Sequence, residues 1–88
     1  MGNHLHQRLN LNAGDIVEVG CDTQCNVMLM SDSSYSTYKR GGCFSYHGGF
    51  FKMFPARIAA PSTGVWNVVL DLGGGSATVR HSVRVIPA

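Results

Sequence analysis

Short stretches of this chain alternate between apolar and polar residues, which is the pattern of β-strands that bury one face. Residues 4–11 carry leucines on one face and His4, His6, Arg8 and Asn10 on the other. Residues 65–72 alternate most strongly, with Trp66, Val68, Leu70 and Leu72 opposite Val65, Asn67, Val69 and Asp71. We therefore predict two strands with one buried face each, and we expect Trp66 to anchor the core.

Further strands are predicted between clusters of turn-forming residues. Residues 16–19 form a short strand after a turn at 12–15. Residues 26–31 are apolar on both faces, which predicts a central strand covered on both sides. A turn at 61–64 precedes the strand of residues 65–72, and the glycines at 73–75 predict another turn before a last strand that ends near Ile86.

Gly48 and Gly49 predict a β-hairpin over residues 43–54, because a two-glycine loop supplies the positive φ angles of a tight turn. One face of this hairpin would carry Phe44, Tyr46, Phe51 and Met53, and the other Ser45, His47, Phe50, Lys52 and Phe54. A domain this small can bury only one of these faces. The other is predicted to be a ligand or subunit interface, and hence a possible route to a homo-oligomer.

The polar segment 31–42 interrupts the strand pattern. Tyr35 and Tyr38 lie three residues apart and would share one side of a single helical turn capped by Ser31 or Ser33. The segment is too short and too polar for a longer helix on its own. The chain is therefore predicted to be almost entirely β.

Length and composition narrow the fold class. The 88 residues suffice for a single domain, 1–88, with a small core and room only for shallow surface sites. Charged residues make up only 14% of the chain, which favours strands and turns over solvated helices. We predict an all-β fold, a small antiparallel β-sandwich or partly closed barrel of about seven or eight short strands.

Charge and cysteine content limit the partners and the compartment. The net charge is only +2, from seven Lys and Arg against five Asp and Glu, and the basic residues are scattered over the chain, so nucleic acid is not an expected partner. The N-terminus lacks the apolar core of a signal peptide and no stretch approaches a membrane span, so we expect a cytoplasmic protein without membrane contact. The odd count of three cysteines, Cys21, Cys25 and Cys43, then indicates reduced thiols.

The sequence offers only weak candidates for metal binding or catalysis. His4 and His6 share one side of a strand and, with His47 and Cys21, could form a zinc or hydrolytic site. Three residues rather than two separate Cys21 from Cys25, and the acidic residues are scattered rather than paired. We expect no catalytic residue, no metal and no cofactor. A small metal-dependent or hydrolytic enzyme using His4, His6, His47 and Cys21 is the alternative.

Aromatic and basic residues in the middle of the chain form a stronger candidate site. Rings beside cations suit stacking and anion contacts, and Tyr and Arg are frequent in protein interfaces. The predicted binding residues are Tyr35, Tyr38, Lys39, Arg40, Tyr46, His47, Phe50 and Lys52. They predict a non-enzymatic binding or interaction module for a protein partner or small ligand. The competing interpretation is that the tyrosines only cover the end of the sandwich while the cations are solvated.

Two long blocks, CNVMLMSDSSYSTYKRGGCFSYHGGFFKMFPARI and PSTGVWNVVLDLGGGSATVRHS, make the chain resemble the bacterial domain-of-unknown-function family 1883. The resemblance implies a compact all-β bacterial domain that occurs alone or joined to a Toll/interleukin-receptor-like domain. It supplies no catalytic residues. It is compatible with a role as the recognition part of a bacterial signalling system.

Overall fold

Seven strands in the described residues, 4–72 and 80–88, form two antiparallel sheets in this computed structural model. The elements are β1 (His4–Leu11), β2 (Ile16–Cys21), β3 (Cys25–Met30), α1 (Asp32–Lys39), β4 (His47–Phe51), β5 (Ala56–Ala59), β6 (Gly64–Asp71) and β7 (His81–Ile86). One sheet has the order β1-β6-β3-β4 and the other β5-β2-β7. The predicted all-β fold is confirmed, and it takes the form of two sheets rather than a closed barrel. The turn predicted at 73–75 lies outside the described residues.

The main core lies between the two sheets. Val17 and Val19 of the three-stranded sheet share one cluster with Leu29 and Leu70 of the four-stranded sheet, and all four are at most 1% exposed. Burial of each such side chain contributes about 1.5–3 kcal/mol to the stability of the domain. Trp66 faces this cluster but is only half-buried at its margin, because it lies near the start of β6 beside the edge strand β1. The expectation that Trp66 anchors the core is therefore wrong.

A second, smaller cluster covers the opposite face of the four-stranded sheet. Met28, Met30 and Val69 are buried there beneath Tyr35 and Tyr38 of α1, with Phe44 packed beside them. Strand β3 therefore contributes buried side chains to both faces of its sheet. This confirms the prediction of a central, doubly covered strand.

Helix α1 is two turns long rather than the single turn predicted. Ser31 is its N-cap and accepts a hydrogen bond at Oγ from the amide of Ser34, at 3.2 Å. Gly41, with φ of +79°, follows the last residues of the helix and suits the left-handed conformation common at that position. A short Ser-rich helix is marginal alone, so its length depends on the packing of its tyrosines against the sheet.

The predicted hairpin 43–54 is wrong. Gly48 and Gly49 lie inside β4, where they pair with Met28 and Val27 of β3. A Cβ at Gly48 would lie 2.2 Å from the carbonyl oxygen of Val27 and 2.9 Å from Cδ1 of Ile58. Glycine is therefore needed here for close packing of the backbone and not for a turn. The homo-oligomer itself stays a prediction.

Opposite charges pair on the outer face of the three-stranded sheet. Glu18 accepts hydrogen bonds from Arg84 at 2.7 Å and from Arg57 at 2.9 Å, which lowers the pKa of its carboxyl group, chiefly through Arg84. The charge of Arg84 on β7 is thus balanced by Glu18 of the neighbouring strand β2. No helix in the described part of the chain has the length and apolar composition needed to cross a membrane.

Candidate functional site

Polar and aromatic side chains concentrate on the outer face of the four-stranded sheet. We call this the helix-bearing face: the outward residues of β1, β6, β3 and β4, together with α1 and residues 43–46. The strand register places His4, Asp71, Asn26 and Phe50 in one row across the sheet. Directly opposed residues of antiparallel strands share a face, so this row joins one edge of the sheet to the other.

A hydrogen-bonded network attaches α1 to β1 and β6. Asn67 is 1% exposed and lies at its centre. Its Oδ1 accepts from Nε2 of His6 at 2.7 Å, and its Nδ2 donates to Oδ1 of Asp32 at 2.8 Å and to the carbonyl of Met30 at 3.3 Å. Arg8 completes the network with two hydrogen bonds to the Asp32 carboxylate, at 2.7 and 3.1 Å. The amide of one asparagine thus links three elements.

The two helix tyrosines are tied to neighbouring strands at their hydroxyl groups. Tyr38 donates to Oδ2 of Asp71 at 2.6 Å, and Tyr35 shares a hydrogen bond of 3.1 Å with Nε2 of His4. Burial, together with the hydrogen bond to the Asp71 carboxylate, raises the pKa of Tyr38 well above its usual value. Tyr38 is therefore a neutral hydrogen-bond donor at physiological pH.

Ring contacts continue from the edge of the sheet to exposed surface. We call His6, Tyr35, Tyr38, Phe44 and Tyr46 the aromatic strip. Successive ring centroids are 3.9, 6.2, 5.2 and 5.5 Å apart. The strip ends at Tyr46, which is 46% exposed. The three rings in the middle of the strip, Tyr35, Tyr38 and Phe44, are half-buried, so the strip has a packed centre and accessible ends.

A shallow groove of about 320 Å³ lies between α1 and the segment that follows it. Its lining residues are mostly hydroxyl-bearing: Ser33, Ser34, Thr37, Cys43, Phe44 and Ser45. The Thr37 hydroxyl donates to the carbonyl of Ser33 at 3.1 Å, so part of the lining is fixed by the helix itself. Phe44 belongs to both the groove and the aromatic strip, which makes the two features neighbours.

The structure brings together five of the eight predicted binding residues on this face. Tyr35, Tyr38 and Tyr46 lie in the aromatic strip, and the Lys39 ammonium lies 4.7 Å from the centre of the Tyr35 ring. Phe50, 55% exposed, lies on the same face of the sheet in the row described above. Of the three other predicted residues, one borders this group and two lie apart from it.

Arg40, His47 and Lys52 are those three residues. Arg40 is the C-cap of α1, and its guanidinium contacts Thr37 at 3.4 Å. His47 pairs with the inward residue Leu29, and its ring meets Trp66 at 5.9 Å, on the opposite side of the sheet from the tyrosines. Lys52 lines a separate surface pocket near Cys21. The predicted hairpin had placed His47, Phe50 and Lys52 on one face, and its absence separates them.

The residues of the alternative metal or hydrolytic site are not assembled. His4 and His6 lie on the helix-bearing face, His47 lies on the other side of that sheet, and Cys21 belongs to the other sheet. Within residues 4–72 and 80–88, no cluster of three or more His, Cys, Asp or Glu side chains could hold a metal ion. The proposed combination of His4, His6, His47 and Cys21 is therefore wrong.

Sequence reasoning missed Asp32, Phe44, Asn67 and Asp71 as parts of this face. The alternation of β6 places Asn67 and Asp71 on its more polar side, which was the available signal. The hydrogen bonds that place Asn67 and Asp71 in this site join residues 33 to 61 positions apart in the sequence. Only the docking of α1 across the sheet reveals them.

Acid is expected to weaken the attachment of α1. The hydrogen bonds from Arg8, and then from Asn67, lower the pKa of Asp32 from 3.8 to about 2. A carboxyl group whose pKa is lowered by folding stabilises the fold above its unfolded pKa and loses that contribution as pH falls through the folded value. Stability should therefore fall between about pH 4 and pH 2, more steeply in the wild type than in Arg8→Gln. Urea unfolding at a series of pH values measures the difference, and identical pH profiles would contradict it.

Comparisons with known proteins give one match. The family described as Domain of unknown function (DUF1883) matches residues 3–88, nearly the whole chain. Neither the comparison with curated proteins nor that with solved structures finds a match. The comparisons therefore assign the chain to a family but indicate no activity, so the proposal below is based on the chemistry of the surface.

Proposed function

The chain belongs to the Domain of unknown function (DUF1883) family. We propose that it is a non-enzymatic recognition module and that its helix-bearing face binds a segment of a partner protein. The aromatic strip, open to solvent at Tyr46, is the observation that carries this proposal. Exposed rings on a rigid base are the usual anchors of protein interfaces, because they bury a large area at little cost in conformational entropy.

The adjoining groove favours a peptide segment over a compact small molecule. It is shallow and rich in hydroxyl groups, whereas small-molecule sites are mostly enclosed and apolar. Side-chain hydroxyls can accept from and donate to the backbone of an extended segment. Tyr46 and Phe50 would then occupy positions beside such a segment, with the groove contacting its main chain.

The polar network supports a structural rather than a catalytic use of its titratable groups. His6 and Asp32 are joined through Asn67, and Tyr38 is held by Asp71. These contacts fix α1 on the sheet and so fix the shape of the surface above it. The resemblance to domains joined to Toll/interleukin-receptor-like modules supports the same role, recognition within a bacterial signalling system.

Selection of peptides from a random display library against the immobilised domain tests the proposal. A selected peptide should bind Tyr46→Ser and Phe50→Ser at least about tenfold more weakly than the wild type, because loss of a hot-spot ring costs about 2 kcal/mol. Isothermal titration calorimetry measures the affinities. The matched control is Met53→Ser, since Met53 is 84% exposed and follows β4, so it belongs to none of the elements that define the helix-bearing face.

Two results would count against this function. One is that the selected peptides bind Tyr46→Ser and Phe50→Ser as tightly as the wild type. The other is that peptide-induced amide shifts in nuclear magnetic resonance spectra map to the outer face of β5, β2 and β7. Sedimentation velocity on the wild type and Phe50→Ser separately determines whether the same face joins two copies of the chain.

A further inference from the structure

Two thiols meet at one end of the sandwich, away from the helix-bearing face. Cys21 ends β2 in the three-stranded sheet, and Cys25 begins β3 in the four-stranded sheet. Only residues 22–24 separate them, and their Sγ atoms are 3.9 Å apart. The two sulfur atoms are therefore in van der Waals contact at the point where the chain crosses between the sheets.

The two thiols differ in their access to solvent. Cys21 is half-buried and lines a surface pocket of about 220 Å³ together with Lys52 and Phe54. Cys25 is 2% exposed and packs in the main core. Burial raises the pKa of the Cys25 thiol to about 12. A soluble oxidant can reach Cys21 from the pocket, whereas it cannot reach Cys25 without prior opening of the core.

We propose that Cys21 and Cys25 form a redox modification site, at which a hydroperoxide converts the two thiols to a reversible disulfide between the sheets. The Cys21 sulfur attacks one peroxide oxygen and the O–O bond breaks, giving a sulfenic acid and water when the oxidant is hydrogen peroxide. The Cys25 sulfur then attacks the Cys21 sulfur and displaces hydroxide, which leaves as water with the Cys25 proton. Overall, two thiols and hydrogen peroxide yield one disulfide and two molecules of water.

The position of the pair gives this reaction a structural consequence. A disulfide holds its sulfur atoms about 2.05 Å apart, so the present distance must shorten by almost half. Residues 22–24 are exposed and lie next to the surface pocket, so they can absorb this movement. Oxidation is thus expected to reshape the pocket around Lys52 while the strands keep their register.

Hydrogen peroxide added to the reduced protein tests the site, with Cys43→Ser as the background because Cys43 is exposed and can link two molecules. The expected product is a monomer that is lighter by roughly 2 Da and has no titratable thiol after denaturation. Peptide mapping should locate the bridge between Cys21 and Cys25, and dithiothreitol should restore both thiols. The rate of bridge formation should not depend on protein concentration.

A second variant separates the two steps. Cys25→Ser lacks the thiol that attacks the sulfenic acid. Its Cys21 should react with peroxide at an unchanged rate and accumulate a sulfenic acid, which dimedone traps. The proposal is overturned if peroxide leaves Cys21 and Cys25 reduced, or oxidises each to a sulfinic acid without forming a bridge. Peptide mapping of the Cys43→Ser protein, which retains both thiols, decides this even where Cys25→Ser does not fold.

Discussion

Alanine at position 48 is expected to lower the free energy of unfolding by about 3–5 kcal/mol, one of the two largest effects anticipated for a single substitution in this domain. Its Cβ would lie 2.2 Å from the Val27 carbonyl oxygen, a backbone atom that cannot move without breaking the β3–β4 pairing. The φ angle of +117° at Gly48 adds backbone strain for any residue with a side chain. Urea unfolding followed by circular dichroism measures the loss.

Gly49→Ala is the matched control for this substitution. Gly49 is the next residue of β4 and also has a positive φ angle, +158°, but a Cβ there meets no atom within 4 Å. We expect it to cost about 1 kcal/mol, from backbone conformation alone. If the two variants lose equal stability, close packing against Val27 is not the reason for glycine at position 48.

The elements that the sequence predicted well are those whose pattern is local. Strand β1 has the predicted bounds, residues 4–11, because its leucines alternate with polar residues along its length. Strand β3 was recognised as doubly covered because four apolar residues follow one another at 27–30. In both cases the side chains themselves report which faces of the strand are buried.

The error at Gly48 has a different origin. Glycine is required both where φ must be positive and where a backbone must approach closely, and a sequence does not distinguish these two needs. Strand β4 pairs with β3, which precedes α1 in the sequence, and not with the residues that follow Gly49. A pairing across an intervening helix leaves no local signal, so a hairpin was the natural but incorrect prediction.

The candidate site was predicted only in part, because many of its contacts join residues that are distant in the sequence. Tyr35 and Tyr38 were identified from their spacing within the polar segment, and Tyr46 and Phe50 as aromatic residues close to basic ones in the sequence. The length of α1 depends on packing against Met28 and Val69, which no local propensity encodes. His4 and His6 gain their roles from Tyr35 and Asn67, residues distant in the chain.

Asn67→Ala is expected to destabilise the domain by about 2–4 kcal/mol, because it removes the centre of the network that holds α1. Three groups lose a partner: Nε2 of His6, the carboxylate of Asp32 and the carbonyl of Met30. Met30 is buried, so its carbonyl would keep the full cost of its lost hydration, whereas His6 and Asp32 are exposed and lose only their hydrogen bonds with Asn67. Urea unfolding gives the stability.

Asn10→Ala provides the control, since Asn10 is an exposed asparagine on the outward side of β1, the same face of the same sheet. It should change stability by less than about 0.5 kcal/mol. The aromatic strip adds a second readout, because His6 stacks on Tyr35 at 3.9 Å and loses its anchor in Asn67→Ala alone. Ring-current shifts of Tyr35 should change in that variant, and peptide binding should weaken although Asn67 is buried. Equal stability and unchanged shifts in the two variants would mean that packing, without the network, holds the helix.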